Sequence, residues 1–151
     1  MRAAFLRPRL AAEARHEGSS YQGIPLVIEW RKGSTREGTD KSGKKWTRKM
    51  NADYGFIPGL VTTKGDEEEL DVYVGPDPDA PTAYFVEQLK DDGSFDEFKC
   101  VLGTDSKTEA LELYLSHYPK GWEDHIGSVQ WLPMTHLRDI AEAGGVQGDE
   151  L

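Results

Sequence analysis

The sequence predicts an α+β domain in which many short strands precede one well-defined helix. Short apolar runs alternate with turns rich in glycine, proline and aspartate along most of the chain, which is typical of a strand-rich fold. A Ser106-Lys-Thr-Glu109 capping box then opens a segment with apolar residues at helical spacing. The 151 residues match the usual length of one domain with one core. The strand pattern by itself fits either a small barrel or a sandwich.

The strands are predicted in chain order from the apolar runs between turns. The run at 26–30 is largely apolar, as in a buried strand, and Lys41-Ser-Gly43 marks the tip of a hairpin. A stretch rich in proline and aspartate at 75–81 breaks the chain before the next strand. The predicted strands cover residues 26–30, 45–50, 54–57, 70–75, 82–89, 98–103 and 128–132.

Two helices are predicted in the last third of the chain. The first begins at the capping box and is stopped by Pro119, and the second, at 135–143, places Leu137 and Ile140 on one face. The second helix ends at Gly144-Gly145. The predicted organisation is an N-terminal arm or linker at 1–20, one domain at 21–144 and a C-terminal tail at 145–151.

Composition argues against several classes of protein. Hydrophobic residues make up 37% of the chain, which is enough for a packed core. No apolar run approaches the ~20 residues of a membrane-spanning helix, and the basic N-terminus lacks the apolar segment and cleavage site of a signal peptide. Cys100 is the single cysteine, so an internal disulfide is impossible and a reducing compartment is expected. We expect a cytoplasmic protein that does not contact a membrane.

Charge is distributed unevenly along the chain. Residues 31–49 hold eight basic side chains against Glu37 and Asp40, a local charge of +6 in a chain of net charge −9, which leaves −15 elsewhere. A basic hairpin that faces acidic loops suits an anion held between cationic side chains and metal ions. A charged hairpin in solvent is the plainer alternative. Nucleic acid is not expected as a partner, because the overall negative field repels a phosphate backbone.

An acidic motif follows a tyrosine-glycine strand. The sequence reads Tyr54-Gly-Phe-Ile-Pro-Gly59 and then, after a short loop, places carboxylates in the pattern D-x-E-x-x-D at Asp66, Glu68 and Asp71. The adjacent acids at 66–69 repel one another unless they are solvated or neutralised by cations. Oxygen ligands without histidine or cysteine favour a hard ion such as Mg²⁺ or Mn²⁺. A solvated acidic turn is the alternative that composition alone supports.

These blocks, taken in order, resemble the signature of the soluble (family I) inorganic pyrophosphatases. There a YGFIPG-like tract precedes DGDPLDV, and Leu26-Val-Ile-Glu-Trp-Arg-Lys-Gly-Ser34 resembles the upstream strand that ends in Glu before Lys-Gly-Ser. Residues 92–99 resemble the family's second acidic loop and lysine, and His117-Tyr-Pro-Lys120 resembles its tyrosine–lysine pair. In its compact form, this sequence most resembles the pyrophosphatase-like domains encoded by bacteriophages. The resemblance implies a five-stranded OB-like β-barrel with one main helix and a short C-terminal helix, whose acidic loops meet at one end.

The resemblance also implies a set of metal ligands. Asp71 would lie between metal ions and orient or deprotonate the attacking water. Glu68 and Glu97 stand where the family has aspartate, and their extra methylene widens the site, so we expect Mn²⁺ to support activity at least as well as Mg²⁺. Asp91 and Asp96 compete for the roles in the second acidic loop. The implied ligands are Asp66, Glu68, Asp71, Asp92, Glu97 and, unless it is a satisfied barrel residue, Glu29.

Cationic and phenolic groups complete the site that the resemblance implies. Arg36 aligns with a phosphate-binding lysine, and the fork of an arginine suits that task. Arg48 is the candidate to replace a phosphate-binding arginine of the family. The segment 40–54 is much shorter here, which favours instead an arginine exposed to solvent. Lys120 is separated from Tyr118 by a proline, whereas the family has the two adjacent. The implied catalytic and phosphate-binding residues are Arg36, Tyr54, Asp71, Lys99, Tyr118 and Lys120.

We therefore predict a metal-dependent hydrolase that splits inorganic pyrophosphate into two phosphates with a metal-activated water. Mg²⁺, or else Mn²⁺, is the expected cofactor and pyrophosphate the expected partner. Further candidate partners are a second copy of the chain and phage structural proteins, with host cytoplasm or a virion as the location. One alternative is a virion or interaction module that keeps the fold and has lost turnover. Another is a metal-dependent hydrolase of pyrophosphate bonds in nucleotides.

Overall fold

The computed structural model describes residues 19–62 and 68–143, which contain ten strands and two α-helices. The first helix lies between the ninth and tenth strands, and the second follows the tenth. The helices are α1 (Lys107–Leu115) and α2 (Met134–Glu142), with a short 3-10 helix at Trp122–His125. The strands are β1 (Ser20–Tyr21), β2 (Ile24–Pro25), β3 (Val27–Trp30), β4 (Thr35–Thr39), β5 (Lys45–Lys49), β6 (Asp53–Val61), β7 (Glu69–Val74), β8 (Thr82–Leu89), β9 (Phe95–Leu102) and β10 (Ile126–Pro133).

Six of these strands form one mixed sheet in the order β10-β8-β9-β7-β6-β3. Neighbouring strands are antiparallel except β7 and β9, which run parallel and place Asp71 opposite Lys99. Two further pairs, β1–β2 and β4–β5, are separate two-stranded sheets. The parallel pair arises because β9 returns between β7 and β8, so two residues far apart in sequence become direct neighbours at the centre of the sheet.

The two faces of the sheet carry separate cores because successive strand residues point to opposite sides. On β7, Val72 belongs to one buried cluster and Tyr73 to the other. Helix α2 packs on the Val72 side through Leu137, while α1 packs on the Tyr73 side through Tyr114. The free thiol Cys100 is buried on the Val72 side. Each helix therefore covers one face of the sheet.

Helix α1 is held at its start by the predicted capping box. The Ser106 hydroxyl accepts a hydrogen bond from the backbone N–H of Glu109 at 3.1 Å, and the Glu109 carboxylate accepts one from Asp105 N–H at 3.3 Å. The helix ends at Leu115, and the backbone turns at Ser116 and His117. After this turn, Tyr118 packs against the buried cluster that contains Tyr73 and Tyr114.

The structure confirms a strand-rich domain with one helix on each face, and it does not confirm the five-stranded OB-like barrel. The hydrogen-bonded order of the described strands has six members and two ends, β3 and β10, so the closed barrel remains a prediction. Strand β9 begins at Phe95, three residues before its predicted start, which places 95–97 in the sheet instead of in the acidic loop. Within the described residues, no helix is long and apolar enough to cross a membrane.

Candidate active site

The centre of the site is a buried cluster of Asp71, Lys99 and Tyr54. Three adjacent strands supply it, since Asp71 lies on β7, Lys99 opposite it on β9, and Tyr54 on β6. The Lys99 ammonium donates to Asp71 Oδ2 at 2.8 Å and to the Tyr54 hydroxyl at 2.7 Å, and that hydroxyl donates to Asp71 Oδ2 at 2.9 Å. The side chains of Lys99 and Asp71 are only 8% and 6% exposed. The three groups therefore form a closed triangle of short, charge-assisted bonds.

A second carboxylate completes the charge around Lys99. Glu97 lies two residues earlier on β9, on the same side of the strand, and its Oε1 is 3.1 Å from the Lys99 ammonium. Burial disfavours the charged form of Lys99, but Asp71 and Glu97 outweigh it and hold the pKa of Lys99 well above its ordinary value. Burial raises the pKa of the Glu97 carboxyl, Lys99 opposes that rise, and the nearby Asp71 adds to it. Lys99 is therefore a permanent cation.

Phenols line the side of the site nearest α1. The Tyr54 and Tyr73 rings are 4.7 Å apart between centroids, and the hydroxyls of Tyr73 and Tyr118 are 3.0 Å apart. Burial raises the pKa of all three phenols, and in Tyr54 the carboxylate of Asp71 raises it further. These hydroxyls therefore stay protonated at neutral pH and can act as hydrogen-bond donors.

The hairpin formed by β4 and β5 brings two arginines to this wall of phenols. Arg36 and Arg48 are direct cross-strand partners, so both side chains lie on one face of the hairpin. The Arg36 Cζ lies 4.7 Å from the centroid of the Tyr54 ring, and the Arg48 Cζ lies 4.7 Å from that of Tyr118. The site thus combines two carboxylates and an ammonium with two guanidinium groups and phenol donors. Such a set can bind a multiply charged oxyanion together with a hard cation.

A bulge in β3 places Glu29 beside the same region. Ile28 pairs with Gly55 and Trp30 with Tyr54, so Glu29 is the extra residue on its strand. A Cβ on Gly55 would overlap the carbonyl oxygen of Val27, so only glycine lets the two strands approach this closely. Glu29 is half-buried at this bulge, next to the strand that carries Tyr54.

The family model described as Inorganic Pyrophosphatase matches residues 10–142. The chain belongs to the inorganic pyrophosphatase family. Its reaction is the hydrolysis of inorganic pyrophosphate, and membership of the family implies dependence on a divalent metal.

Among curated proteins, none matches the chain. A solved structure of an inorganic pyrophosphatase from Coxiella burnetii is similar to this pyrophosphatase with a TM-score of 0.41 and 18% identity, over 83% of this chain and 96% of that chain.

The residues predicted for the pyrophosphatase site divide into those that the structure gathers and those that it does not. Asp92 is exposed at the tip of the β8–β9 hairpin, where Oδ1 accepts from Ser94 N–H at 2.9 Å and from its hydroxyl at 2.6 Å. Its carboxylate thus closes a turn, and the predicted metal role has no support from this position. Lys120 is exposed beyond the end of α1. Glu68 is half-buried just before β7, and Asp66 lies outside the described residues. The gathered residues are Arg36, Tyr54, Asp71, Glu97, Lys99 and Tyr118.

The competing acids of the second loop have other contacts. Asp96 Oδ2 accepts from the Gln88 amide at 3.0 Å, and Asp91 Oδ1 lies 2.9 Å from His125 Nε2. Gln88 pairs with Glu97 and Leu89 with Phe95, so Asp96 is the extra residue of a bulge in β9. Of the acids at 91–97, the one that reaches Lys99 is Glu97.

Two residues of the arginine hairpin were missed or misread from sequence. Arg48 was expected in solvent, but it is half-buried against Tyr118, and Trp46 was assigned no role. The missed signal is the alternation in both strands, which puts Arg36 and Gly38 on the same face as Trp46 and Arg48.

The donor chemistry of the site fits a hard divalent ion. Asp71 and Glu97 each place a carboxylate oxygen beside the Lys99 ammonium, at 2.8 and 3.1 Å. Within residues 19–62 and 68–143, no group of three or more such acidic, histidine or cysteine side chains comes together. Mg²⁺ is commonly held by one or two carboxylates together with substrate phosphates and water, so a pair of protein carboxylates is sufficient.

Proposed function

We propose that the cluster of Asp71, Glu97, Lys99 and Tyr54, faced by Arg36 and Arg48, is the centre at which pyrophosphate is hydrolysed. One observation supports this more than any other. A buried ammonium is shared by two carboxylates and a phenol, while the two arginines opposite form no salt bridge with any acid of the described segments. Cations that no acid of the described residues pairs with, beside an acidic cluster that shares one ammonium, are what an anionic substrate and a divalent ion require together.

The cationic side chains would bind the phosphate oxygens. Arg36 and Arg48 lie with their guanidinium carbons over phenol rings, a contact that uses the π-face and leaves the in-plane N–H groups for acceptors. Lys99 contributes a point charge from inside the sheet, and Tyr118 a protonated hydroxyl. Phosphoryl transfer depends mainly on such positioning and electrostatic stabilisation.

A divalent ion, Mg²⁺ or Mn²⁺, would be held by Asp71 and Glu97, with Asp66 and Glu68 as further ligands. When bound it supplies positive charge to the phosphates and lowers the pKa of water. Asp71 then orients the attacking water and accepts its proton at a carboxylate oxygen. Tyr54 and Lys99 fix the orientation of that carboxylate through bonds of 2.9 and 2.8 Å to Oδ2.

The first prediction concerns Asp71→Asn, which keeps the size of the side chain and removes its charge. We expect kcat for pyrophosphate to fall by at least about 100-fold, because a positioned proton acceptor contributes that much or more. Phosphate release is measured with Mg²⁺ present, alongside circular dichroism and a melting curve. The matched control is Asp139→Asn, an exposed acid in α2 outside the site, which should retain wild-type turnover. A folded Asp71→Asn enzyme with undiminished turnover would remove Asp71 from the mechanism.

The substrate is tested in the same assay. Wild-type enzyme with Mg²⁺ should release phosphate from pyrophosphate much faster than from nucleoside triphosphates, and chelation of the metal should stop the reaction. Faster cleavage of a nucleotide would redirect the site toward nucleotide pyrophosphate bonds. Absence of turnover on either substrate would favour a module that keeps the fold without the chemistry.

A further inference from the structure

Trp46 occupies an unusual place between the two arginines of the β4–β5 hairpin. Its ring centroid is 4.6 Å from the Arg48 Cζ and 5.7 Å from the Arg36 Cζ. Each of these guanidinium groups also lies over a tyrosine, Tyr118 for Arg48 and Tyr54 for Arg36. One indole therefore touches both cations, and each cation touches a phenol of the active-site wall.

The cross-strand pairing of Arg36 with Arg48 is electrostatically unfavourable unless another interaction offsets the repulsion. Arg36 and Arg48 are direct cross-strand partners, and like charges in that position repel. Neither guanidinium forms a salt bridge with an acid in residues 19–62 or 68–143. A hairpin selected for stability alone would place an acid or a neutral residue at one of these positions. The attraction of both cations to the electron-rich indole face offsets part of the repulsion.

The backbone makes room for the ring at this point. Gly38 is the cross-strand partner of Trp46, and a Cβ at Gly38 would overlap the indole. The ring thus lies flat across the opposite strand, and this position is possible because residue 38 has no side chain. Lying flat, the indole presents its face to the arginines instead of projecting into solvent.

We propose that Trp46 is a positioning residue that holds Arg36 and Arg48 at a fixed separation for the two phosphate groups of pyrophosphate. This inference rests on the proposed function of the site. The indole contacts the guanidinium faces and leaves their N–H edges for phosphate oxygens. Holding the two forks in place before substrate arrives reduces the entropy that binding would otherwise lose. Trp46 therefore acts on substrate affinity through the arginines and touches no reacting atom.

The test replaces Trp46 and measures kcat and KM separately. Trp46→Ala should raise KM for pyrophosphate about tenfold and leave kcat within about twofold, since the chemistry of Asp71 is untouched. Trp46→Phe keeps an aromatic face and should recover most of the affinity. The matched control is Trp131→Ala, which removes a tryptophan that is 62% exposed on β10 and should leave KM unchanged. Binding of imidodiphosphate, a pyrophosphate analogue with a bridging nitrogen, should follow KM across the series.

A double-mutant cycle separates positioning from a general effect on the fold. In an Arg36→Ala/Arg48→Ala background, Trp46→Ala should produce no further rise in KM, because the residue has no arginines left to place. A further tenfold rise there would show a role independent of the arginines and overturn the inference. A wild-type KM in Trp46→Ala would overturn it as well.

The same series distinguishes this inference from the proposed function. If the double arginine variant loses affinity while Trp46→Ala does not, the arginines bind substrate and only the role of Trp46 fails. If the double arginine variant binds pyrophosphate as wild type does, the proposed site itself is wrong in this region, and the role of Trp46 fails with it.

Discussion

His117 connects the end of α1 to the root of the arginine hairpin. The ring is 1% exposed, and its Nε2 accepts a hydrogen bond of 2.9 Å from the backbone N–H of Asn51, directly after the hairpin. Its Nδ1 donates to the Leu113 carbonyl at 2.8 Å, so these two backbone partners fix the tautomer. The ring also stacks on Tyr73 with a centroid separation of 4.6 Å. His117 is thus part of the support for the site.

The neutral state of His117 makes stability depend on pH. Burial lowers the pKa of this imidazole, and protonation would also remove the acceptor that Asn51 uses. Above the unfolded pKa of about 6.5 the ring is neutral in both states, and stability is complete. Below it the unfolded chain takes up the proton more readily, so the free energy of unfolding falls as pH falls toward the folded pKa. Between about pH 7.5 and 5.5 this loss is up to ~1.4 kcal/mol.

Urea unfolding at these two pH values tests the assignment. His117→Gln should show a smaller loss of stability on acidification than wild type, whereas His136→Gln, a change in the half-buried histidine of α2, should keep the wild-type loss. An equal loss in wild type and His117→Gln would mean that the ring does not resist protonation in the folded protein.

At the scale of the elements, the parallel pair β7–β9 ends in a close crossing of two glycines. Gly75 N–H donates to Leu102 O at 2.7 Å, and a Cβ on Gly103 would overlap the backbone of Gly75. Gly103 also has φ of +73°, a conformation that side chains disfavour. The two glycines directly follow Val74 and Leu102, the last paired positions of the strands that carry Asp71 and Lys99.

Gly103→Ala is therefore expected to destabilise the fold through both strain and overlap. The control is Gly121→Ala, because Gly121 has φ of +90° but open space around its Cβ position. The difference between the two variants isolates the close approach, and we expect Gly103→Ala to lose about 1–3 kcal/mol more in urea unfolding. Equal losses would attribute the whole effect to backbone conformation.

Local chemistry explains which elements could be predicted from sequence. The capping box at Ser106 and the turn at Lys41-Ser-Gly43 depend on neighbouring residues, and both are present as predicted. The alternation that separates Val72 from Tyr73 is also a local property of the strand. Pairing between distant strands is not local, so the parallel register that places Asp71 opposite Lys99 had no signal in the chain.

In the site, too, local motifs could be predicted from sequence, whereas contacts between distant residues could not. The motifs that contain Asp71 and Lys99 resemble those of a family, but the spacing of the two residues gives no signal of their direct salt bridge. Asp92 has the spacing that predicts a metal ligand, and in the structure its Oδ1 accepts a hydrogen bond from the hydroxyl two residues later in a turn. Sequence spacing does not specify whether a short carboxylate side chain accepts a local hydrogen bond or binds a metal ion.

At the scale of the whole molecule, a net charge of −9 meets a site that has to bind an anion. The +6 of residues 31–49 is set against −15 in the rest of the chain, so the substrate is attracted to one hairpin of a repelling molecule. Divalent ions would reduce this repulsion generally by screening and, at the proposed site, specifically by binding to the acidic cluster. The two effects can be separated by experiment.

Millimolar Mg²⁺ is expected to raise the melting temperature of the wild-type protein through mass action, since the folded state holds the ligands together. NaCl at matched ionic strength controls for screening and should give a smaller rise. Asp71→Asn should lose most of the difference between the two salts. If Mg²⁺ and NaCl act alike on the wild-type protein, the carboxylates do not form a specific metal site.

The position of β9 between β7 and β8 links catalysis to the order of assembly. Lys99 follows Asp71 by 28 residues and lies on β9. This strand pairs with β7 on one side and β8 on the other, and both precede it in the chain. Until β9 enters, β7 and β8 each present an unpaired edge, and such edges invite association between incomplete chains. The strand that removes both edges also carries the ammonium that the buried carboxylate needs. Enzyme activity recovered during refolding therefore counts only those molecules whose sheet is complete.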